Sequence, residues 1–278
     1  MSNFIPYVLF TIIVAGILYS WVIWFIRRKG CRPKRLSNKK IKEYIHFLKS
    51  KLPEQPTAVN GIYCLPKEFR YEVLGADYSS ESLQKVSNHI GFYLGLLRSV
   101  KVTCVEEPTG DAWISSSNGI FTSDVSQKHF SGFYKTVGFD HGEILLLKKS
   151  QYRFINIIAV LVHECVHNYL YIHGVRISEE KENEWLTDIA AAYLGLGQLL
   201  FSGYKPITWF DNFWSNFSGS GHIKHSITIG YVDAGTTKRA IIISAKYRKW
   251  NPKEVISGFS SVWDKVTSYL LLLPHRNT

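Results

Sequence analysis

The feature that most constrains this chain is the stretch of residues 157–174, which carries two histidines one helical turn apart. Residues 155–162 are apolar nearly all round, which is typical of a helix buried in a domain core. His163 and His167 frame the sequence H-E-x-x-H, so on a helix both imidazoles share a face and can bind one metal ion. Glu164 lies beside them and could accept a proton from a water held by that metal. The five residues alone also fit a plainer interpretation, two core histidines with an incidental glutamate.

The residues after Gly174 supply partners for this motif. Ser178 can cap a second helix, and the two glutamates that follow it place negative charge in the first turn, as the helix dipole favours. Glu184 and Asp188 are four residues apart and therefore share a face. A helix–turn–helix would bring Glu184 over the two histidines as a third ligand and leave the fourth zinc position for water. Asp188 could accept the second ring N–H of a ligand histidine.

Together, H-E-x-x-H and the following N-E-x-x-T-D of residues 183–188 resemble the thermolysin-like gluzincin zinc metallopeptidases. The resemblance covers roughly residues 140–200. It implies an α+β, zincin-like domain in which a small sheet is combined with an active-site helix and a following glutamate-bearing helix. It also implies zinc as the metal, Glu164 as general base, Asp188 as the partner of His163, and three zinc ligands: His163, His167 and Glu184.

Periodicity predicts the remaining elements. The predicted helices cover residues 41–51, 79–98, 233–250 and 261–273, with another opened by Asn251-Pro252; the predicted strands cover 100–105, 132–136 and 142–147, and 113–124 is predicted to be a loop. The strand at 142–147 directly precedes the metal helix. By analogy with zincin-like folds, we interpret it as the sheet edge along which an extended peptide lies.

Aromatic residues crowd residues 201–217, and we interpret them as a core or wall of large rings rather than a dedicated substrate pocket. Downstream of them, His222 and His225 lie in a Gly- and Ser-rich context, and Tyr231 follows. Each of these three residues is a candidate for stabilising the oxyanion of a tetrahedral intermediate.

Residues 4–26 contain no charged side chain, and a helix of this length spans roughly 34 Å, enough to cross a bilayer. No basic residue precedes this segment, whereas six lie within residues 27–35. That order is the reverse of a cleavable signal peptide. It predicts a single-pass membrane anchor with the N-terminus outside and the remainder on the cytoplasmic side.

The net charge of +11 is concentrated near this anchor. Residues 1–51 hold eleven Lys and Arg against one acid, Glu43, whereas the rest of the chain holds 22 against 21. Residues 27–56 are therefore a basic juxtamembrane linker with a short helix, and anionic lipid head groups are a sufficient partner for its charge. The catalytic domain, residues 57–278, is nearly neutral, so no nucleic-acid partner is expected. The four cysteines lack C-x-x-C spacing, and free thiols are the simpler interpretation.

The sequence thus predicts a membrane-anchored zinc metallopeptidase that hydrolyses peptide or protein substrates with a zinc-activated water and Glu164 as general base. Two alternatives stay open: a zinc hydrolase of a non-peptide amide, and a catalytically silent, membrane-tethered zinc-binding interaction module. A structural zinc site prefers four protein ligands, with Cys common. Three nitrogen and oxygen ligands beside a carboxylate base favour catalysis.

Overall fold

The computed structural model describes residues 33–97, 100–106, 114–116, 119–121, 132–137, 141–149, 152–204, 230–259 and 261–272. The chain divides into two units, residues 1–34 and 35–278, and all the described helices and strands belong to the second unit. The predicted anchor at residues 4–26 and the basic residues 27–32 lie outside the described residues.

The second unit is an α+β fold, mostly helical with a small mixed sheet. Its described helices are α1 Asn38–Lys51, α2 Lys67–Gly75, α3 Ser80–Tyr93, α4 Phe154–Ile172, α5 Glu180–Tyr193, α6 Gly197–Tyr204, α7 Ala234–Arg248, α8 Pro252–Ser257 and α9 Val262–Leu272. Its described strands are β1 Lys101–Glu106, β2 Ile114–Ser116, β3 Gly119–Phe121, β4 Gly132–Val137 and β5 His141–Lys148.

The main sheet has the strand order β1-β5-β4. β1 runs parallel to β5, with Val102 opposite Ile144, and β4 runs antiparallel to β5, with Tyr134 opposite Ile144. β5 is thus the central strand, and the prediction that it is the substrate-binding edge is wrong. The edge next to the metal-motif helix is β4, which pairs on one side only among the described strands. Sequence could not distinguish the two, because pairing partners are set by tertiary contacts.

The core is organised around α4, the helix that carries the metal motif. It packs against β4, β5, α5 and α6, and Ile158, Leu161 and Val162 are completely buried. Burial of such side chains contributes about 1.5–3 kcal/mol each. Among the described residues, α4 is also the one helix apolar and long enough to cross a membrane, but 78% of its most apolar window is buried inside the protein. α4 is therefore the core helix that its apolar sequence predicts.

Contacts with the end of α6 hold the first turns of α4 in place. Asn156, in its first turn, accepts a hydrogen bond from the Arg153 amide at 2.9 Å and donates to the Gly203 carbonyl of α6 at 2.7 Å. Gly203 in turn lies so close to α4 that a Cβ there would be 2.3 Å from the Ala159 Cβ. The end of α6 therefore packs directly on the backbone of the metal-motif helix.

The helix and strand predictions hold in most places. Ser79 caps α3 by accepting a hydrogen bond from the Ser82 amide, and Asn251 with Pro252 opens α8. Two details differ. Glu179, rather than Ser178, caps α5 through a hydrogen bond from the Glu182 amide, and its carboxylate also lies at the positive end of the helix dipole. Residues 113–124, predicted to be a loop, contain the antiparallel pair β2–β3.

Candidate metal centre

The structure brings the side chains of His163, His167 and Glu184 together, as the sequence predicts. The two Nε2 atoms of the histidines are 3.0 Å apart, and the Oε2 atom of Glu184 lies 2.9 Å from the first and 3.0 Å from the second. His163 and His167 come from one face of α4, and α5 runs back across that face to deliver Glu184. The three side chains can hold one metal ion.

The tautomer of His163 is fixed by Asp188. The Nδ1 atom of His163 lies 2.8 Å from Oδ1 of Asp188, a carboxylate with no exposed surface. An ionised carboxylate only accepts hydrogen bonds, so Nδ1 carries the hydrogen. In the neutral ring the Nε2 atom then presents a lone pair toward Glu184 and His167. Asp188 therefore has the place that the sequence predicts for it, behind the first ligand.

The tautomer of His167 is fixed by Thr187, a residue to which the sequence analysis gives no role. The Thr187 hydroxyl donates to the Asn183 carbonyl at 2.9 Å and lies 3.3 Å from Nδ1 of His167. Because its hydrogen is already donated, the hydroxyl accepts from Nδ1–H of His167. The Nε2 lone pair of His167 then also points at the shared centre. The threonine of the N-E-x-x-T-D motif is the signal that could have identified this residue.

Three electron pairs thus converge within 3.0 Å of one another, on His163, His167 and Glu184. Such a cluster needs a cation among its atoms, either a proton on a histidine or a metal ion. Two imidazole nitrogens and one carboxylate oxygen match the ligand set of catalytic zinc, whose bonds to them are about 2.0–2.2 Å long. The residues present therefore fit a zinc ion.

The charges at the centre shift the pKa of each group. Burial favours neutral Glu184, but its interactions with His163 and His167 outweigh burial and lower the pKa of that carboxyl far below its usual range. Burial also works against a charged His163. The charge of Asp188 and the hydrogen bonds to Asp188 and Glu184 outweigh it, so the pKa of His163 is raised well above its usual 6.5. Without a metal, the centre therefore favours the protonated form of His163.

Glu164 is buried next to the ligand cluster, with 6% of its surface exposed. Burial raises the pKa of its carboxyl, although the neighbouring histidine charges oppose the shift. Within the described parts of the chain, its carboxylate makes no hydrogen bond. The first residue of β4 approaches it closely, since a Cβ on Gly132 would lie 2.9 Å from Oε1 of Glu164. A buried carboxylate with a raised pKa and no fixed donor suits proton transfer.

Tyr231 is the one oxyanion candidate whose position the structure describes. Its ring stacks on the ring of His163, with centroids 5.3 Å apart and an interplanar angle of 26°, and about half of its surface is exposed. Burial and the charges of Glu184 and Glu164 raise the pKa of its hydroxyl. The phenol therefore stays protonated and available as a donor beside the ligands. The other two candidates, His222 and His225, lie outside the described residues.

Asp188 also has partners that the sequence does not reveal. Its Oδ1 atom accepts from the Tyr204 hydroxyl at 2.7 Å, and its Oδ2 atom accepts from the amides of Tyr231 and Val232, each at 3.1 Å. Tyr204 belongs to the aromatic run interpreted as core, and it is buried together with Phe201. Residues 205–217 of that run lie outside the described residues.

Among the described residues, neither the cysteines nor the surface clefts add to the centre. Cys165 lies in the metal-motif helix, but its Sγ atom contacts the Ser87 hydroxyl at 3.5 Å, away from the ligands. Cys64, Cys104 and Cys165 are free thiols, as predicted. Two open clefts, of about 430 Å³ beside His173 and about 730 Å³ beside Arg248, contain none of the three ligands.

No family model, no curated protein and no solved structure matches the chain. The functional assignment therefore rests on the geometry of the candidate metal centre.

Proposed function

We propose that this protein is a membrane-anchored, zinc-dependent metallopeptidase with a zincin-like catalytic domain and a gluzincin-type ligand set. The observation that carries the proposal is the convergence of lone pairs from His163, His167 and Glu184 within 3.0 Å, directly beside the buried carboxylate of Glu164. The arrangement needs two helices: α4 supplies the two histidines, and α5 supplies Glu184 together with Asp188 and Thr187, which fix the two tautomers. Incidental core histidines would have their ring nitrogens satisfied separately.

The ligand set favours catalysis over a structural role. Structural zinc sites are closed by four protein ligands, often cysteines, whereas catalytic sites keep one position open. Among the residues described, a fourth ligand is absent from the cluster, and the nearest cysteine in sequence, Cys165, is turned toward Ser87. A general-base candidate would also have no purpose beside a closed structural site. The interaction-module alternative is therefore the weaker one.

In the proposed mechanism, a zinc ion at this centre would polarise the scissile carbonyl and acidify a water molecule. Glu164 accepts the proton of that attacking water and delivers it to the departing amine nitrogen. Its raised pKa brings the carboxyl closer to the operating pH, which suits a group that must both take and give a proton. Asp188 and Thr187 hold the two histidines in the ligating tautomer.

The substrate would lie along β4. This strand pairs on one side only among the described strands, and its first residue, Gly132, is next to Glu164. An extended peptide added to that edge would gain backbone hydrogen bonds and pass the proton-transfer group. The Tyr231 hydroxyl is the described group best placed to donate to the oxyanion, because its ring lies on His163. His222 and His225 stay predictions for the same role.

The location follows from the N-terminal sequence. Residues 4–26 would cross the membrane, and the basic residues 27–35 would place the catalytic domain on the cytoplasmic side. Anionic lipid would neutralise the linker. The substrates would then be peptides or proteins close to the inner membrane face.

The test compares the detergent-solubilised full chain with Glu164→Gln, using a broad peptide library and metal analysis. We expect about one zinc per chain in both proteins, and a loss of hydrolysis by roughly 10²–10⁴-fold in the variant, the usual contribution of a general base. Glu81→Gln is the matched control, because its side chain is 85% exposed on α3 and its removal leaves hydrolysis unchanged. A wild-type protein that binds zinc but cleaves no peptide would contradict the peptidase assignment and favour the interaction module.

A further inference from the structure

The buried carboxylate of Asp188 joins three separate parts of the chain. It has no exposed surface and accepts four hydrogen bonds at 2.7–3.1 Å, two on each oxygen. One donor is His163 in α4, and a second is Tyr204, the last residue of α6. The other two are the main-chain amides of Tyr231 and Val232, just before α7. A carboxylate shared in this way cannot turn toward one partner without leaving another.

The two segments held by Asp188, the end of α6 and the main chain just before α7, also pack on each other. Gly230 has a φ of +97°, and a Cβ at this position would lie 2.2 Å from a ring carbon of Tyr204. The main chain therefore returns flat against the Tyr204 ring, where only glycine fits. The next residue, Tyr231, stacks on His163. Tyr204 thus contacts Gly230, and the residue next to Gly230, Tyr231, contacts the proposed metal ligand His163.

We propose that Asp188, Tyr204 and Gly230 form a positioning junction that couples metal binding to the placement of Tyr231. The inference rests on the proposed metal centre and concerns residues that do not ligate the metal. A metal on His163 fixes the plane of its ring and, through Nδ1–H, the orientation of the Asp188 carboxylate. The second oxygen of Asp188 then holds the Tyr231 and Val232 amides. Because such coupling is reciprocal, disturbing the junction weakens metal binding.

Hydrogen exchange at the Tyr231 and Val232 amides tests this coupling directly. The full chain in detergent is exchanged with saturating zinc and, separately, with a chelator. We expect zinc to slow exchange at these two amides by about five-fold or more, the lower end of typical coupling between sites. Amides of α3, which do not contact the junction, serve as the internal control. Zinc binding at the centre without any change at residues 231 and 232 would overturn the inference.

Variants then separate coupling from fold stability. Tyr204→Phe keeps the ring against Gly230 and removes only the donor to Asp188, so the zinc-dependent slowing should decrease. Gly230→Ala places a methyl group into the Tyr204 ring, so zinc affinity should fall by about five-fold or more. Tyr93→Phe is the matched control, because it removes a buried hydroxyl bonded to the Gly61 and Leu194 carbonyls. It should lower the melting temperature and leave zinc affinity unchanged.

The outcomes distinguish this inference from the proposed function. If the wild-type chain binds no zinc, the metal centre itself is wrong and the inference falls with it. If zinc binds and the slowing at residues 231 and 232 is the same in Tyr204→Phe as in the wild type, Tyr204 has no positioning role. If Gly230→Ala does not fold, Tyr204→Phe still decides the question, since it deletes a single oxygen atom.

Discussion

His163 and His167 share one face of α4, but the groups that make them usable ligands belong to α5. Asp188 accepts a hydrogen bond from Nδ1–H of His163, and Thr187 accepts one from Nδ1–H of His167. Both Nε2 lone pairs are thereby directed at Glu184. A histidine pair without these two partners could adopt the other tautomer and lose the ligand position. The proposed metal centre therefore depends on adjacent residues of α5 as much as on the H-E-x-x-H motif.

The raised pKa of His163 gives the metal-free protein a specific pH dependence. Its folded pKa lies above the unfolded value because Asp188 and Glu184 outweigh burial. Protonated His163 therefore stabilises the fold fully below about pH 6.5, and this contribution is lost as the pH rises through the folded pKa. We expect the melting temperature of the metal-free chain to fall, as the pH is raised above 6.5, by more than that of His163→Gln.

Zinc provides the control for this measurement. A bound metal takes the place of the proton on His163, so saturating zinc should remove the difference in pH dependence between wild type and His163→Gln. Parallel curves for the two metal-free proteins would mean that His163 does not carry the proton.

For individual site residues, the sequence predicts those that recur at helical spacing and misses those that only the tertiary fold brings to the site. His163, His167, Glu184 and Asp188 follow from helical periodicity, because α4 and α5 each present one face to the other. The partners Tyr204 and Gly230 come from 16 and 42 residues beyond Asp188. No local pattern connects them to it, since their contact depends on how α6 and the chain before α7 pack.

Among the elements, the sequence predicts those that carry a cap or a strong period. Ser79 marks the start of α3 and Asn251-Pro252 that of α8. The short helices α2 and α6 are missed. α2 begins after Pro66 without a side-chain cap, and α6 starts at a glycine, so neither has the usual start signal. The order of strands in the sheet is missed as well, because alternation shows that a strand exists but not which strands flank it.

The approach of β4 to α4 yields a prediction at the scale of elements. A Cβ on Gly132 would lie 2.4 Å from Cγ1 of Val160 and 2.9 Å from Oε1 of Glu164. Gly132→Ala must therefore move the strand or the glutamate, at a cost of about 1–3 kcal/mol in unfolding free energy. We expect kcat to fall by roughly 10²-fold, as for other misplaced catalytic groups, with zinc content unchanged.

Gly91→Ala in α3 is the control for this substitution. A Cβ at Gly91 would meet nothing within 4 Å, so alanine should leave kcat unchanged and stabilise the helix by up to about 1 kcal/mol. Full activity in Gly132→Ala would show that β4 does not need to lie against Glu164.

For the whole molecule, the uneven charge distribution makes a topological prediction. Residues 4–26 lack charge, and six basic residues follow at once, so the chain should remain in the membrane pellet after alkaline carbonate extraction. The exposed thiol of Cys64 should then react with a membrane-impermeant maleimide only after the cells are permeabilised. Ser2→Cys, on the predicted outer side, should be labelled in intact cells. Release by carbonate, or the opposite labelling pattern, would contradict the anchor or its orientation.

X-ray absorption at the zinc edge of the zinc-loaded full chain examines the proposed centre most directly. We predict one zinc per chain with only nitrogen and oxygen neighbours at about 2.0–2.2 Å, including the outer-shell scattering of two imidazole rings from His163 and His167. A sulfur neighbour at about 2.3 Å, or a spectrum without two imidazoles, would show that the metal is held elsewhere and would contradict the account.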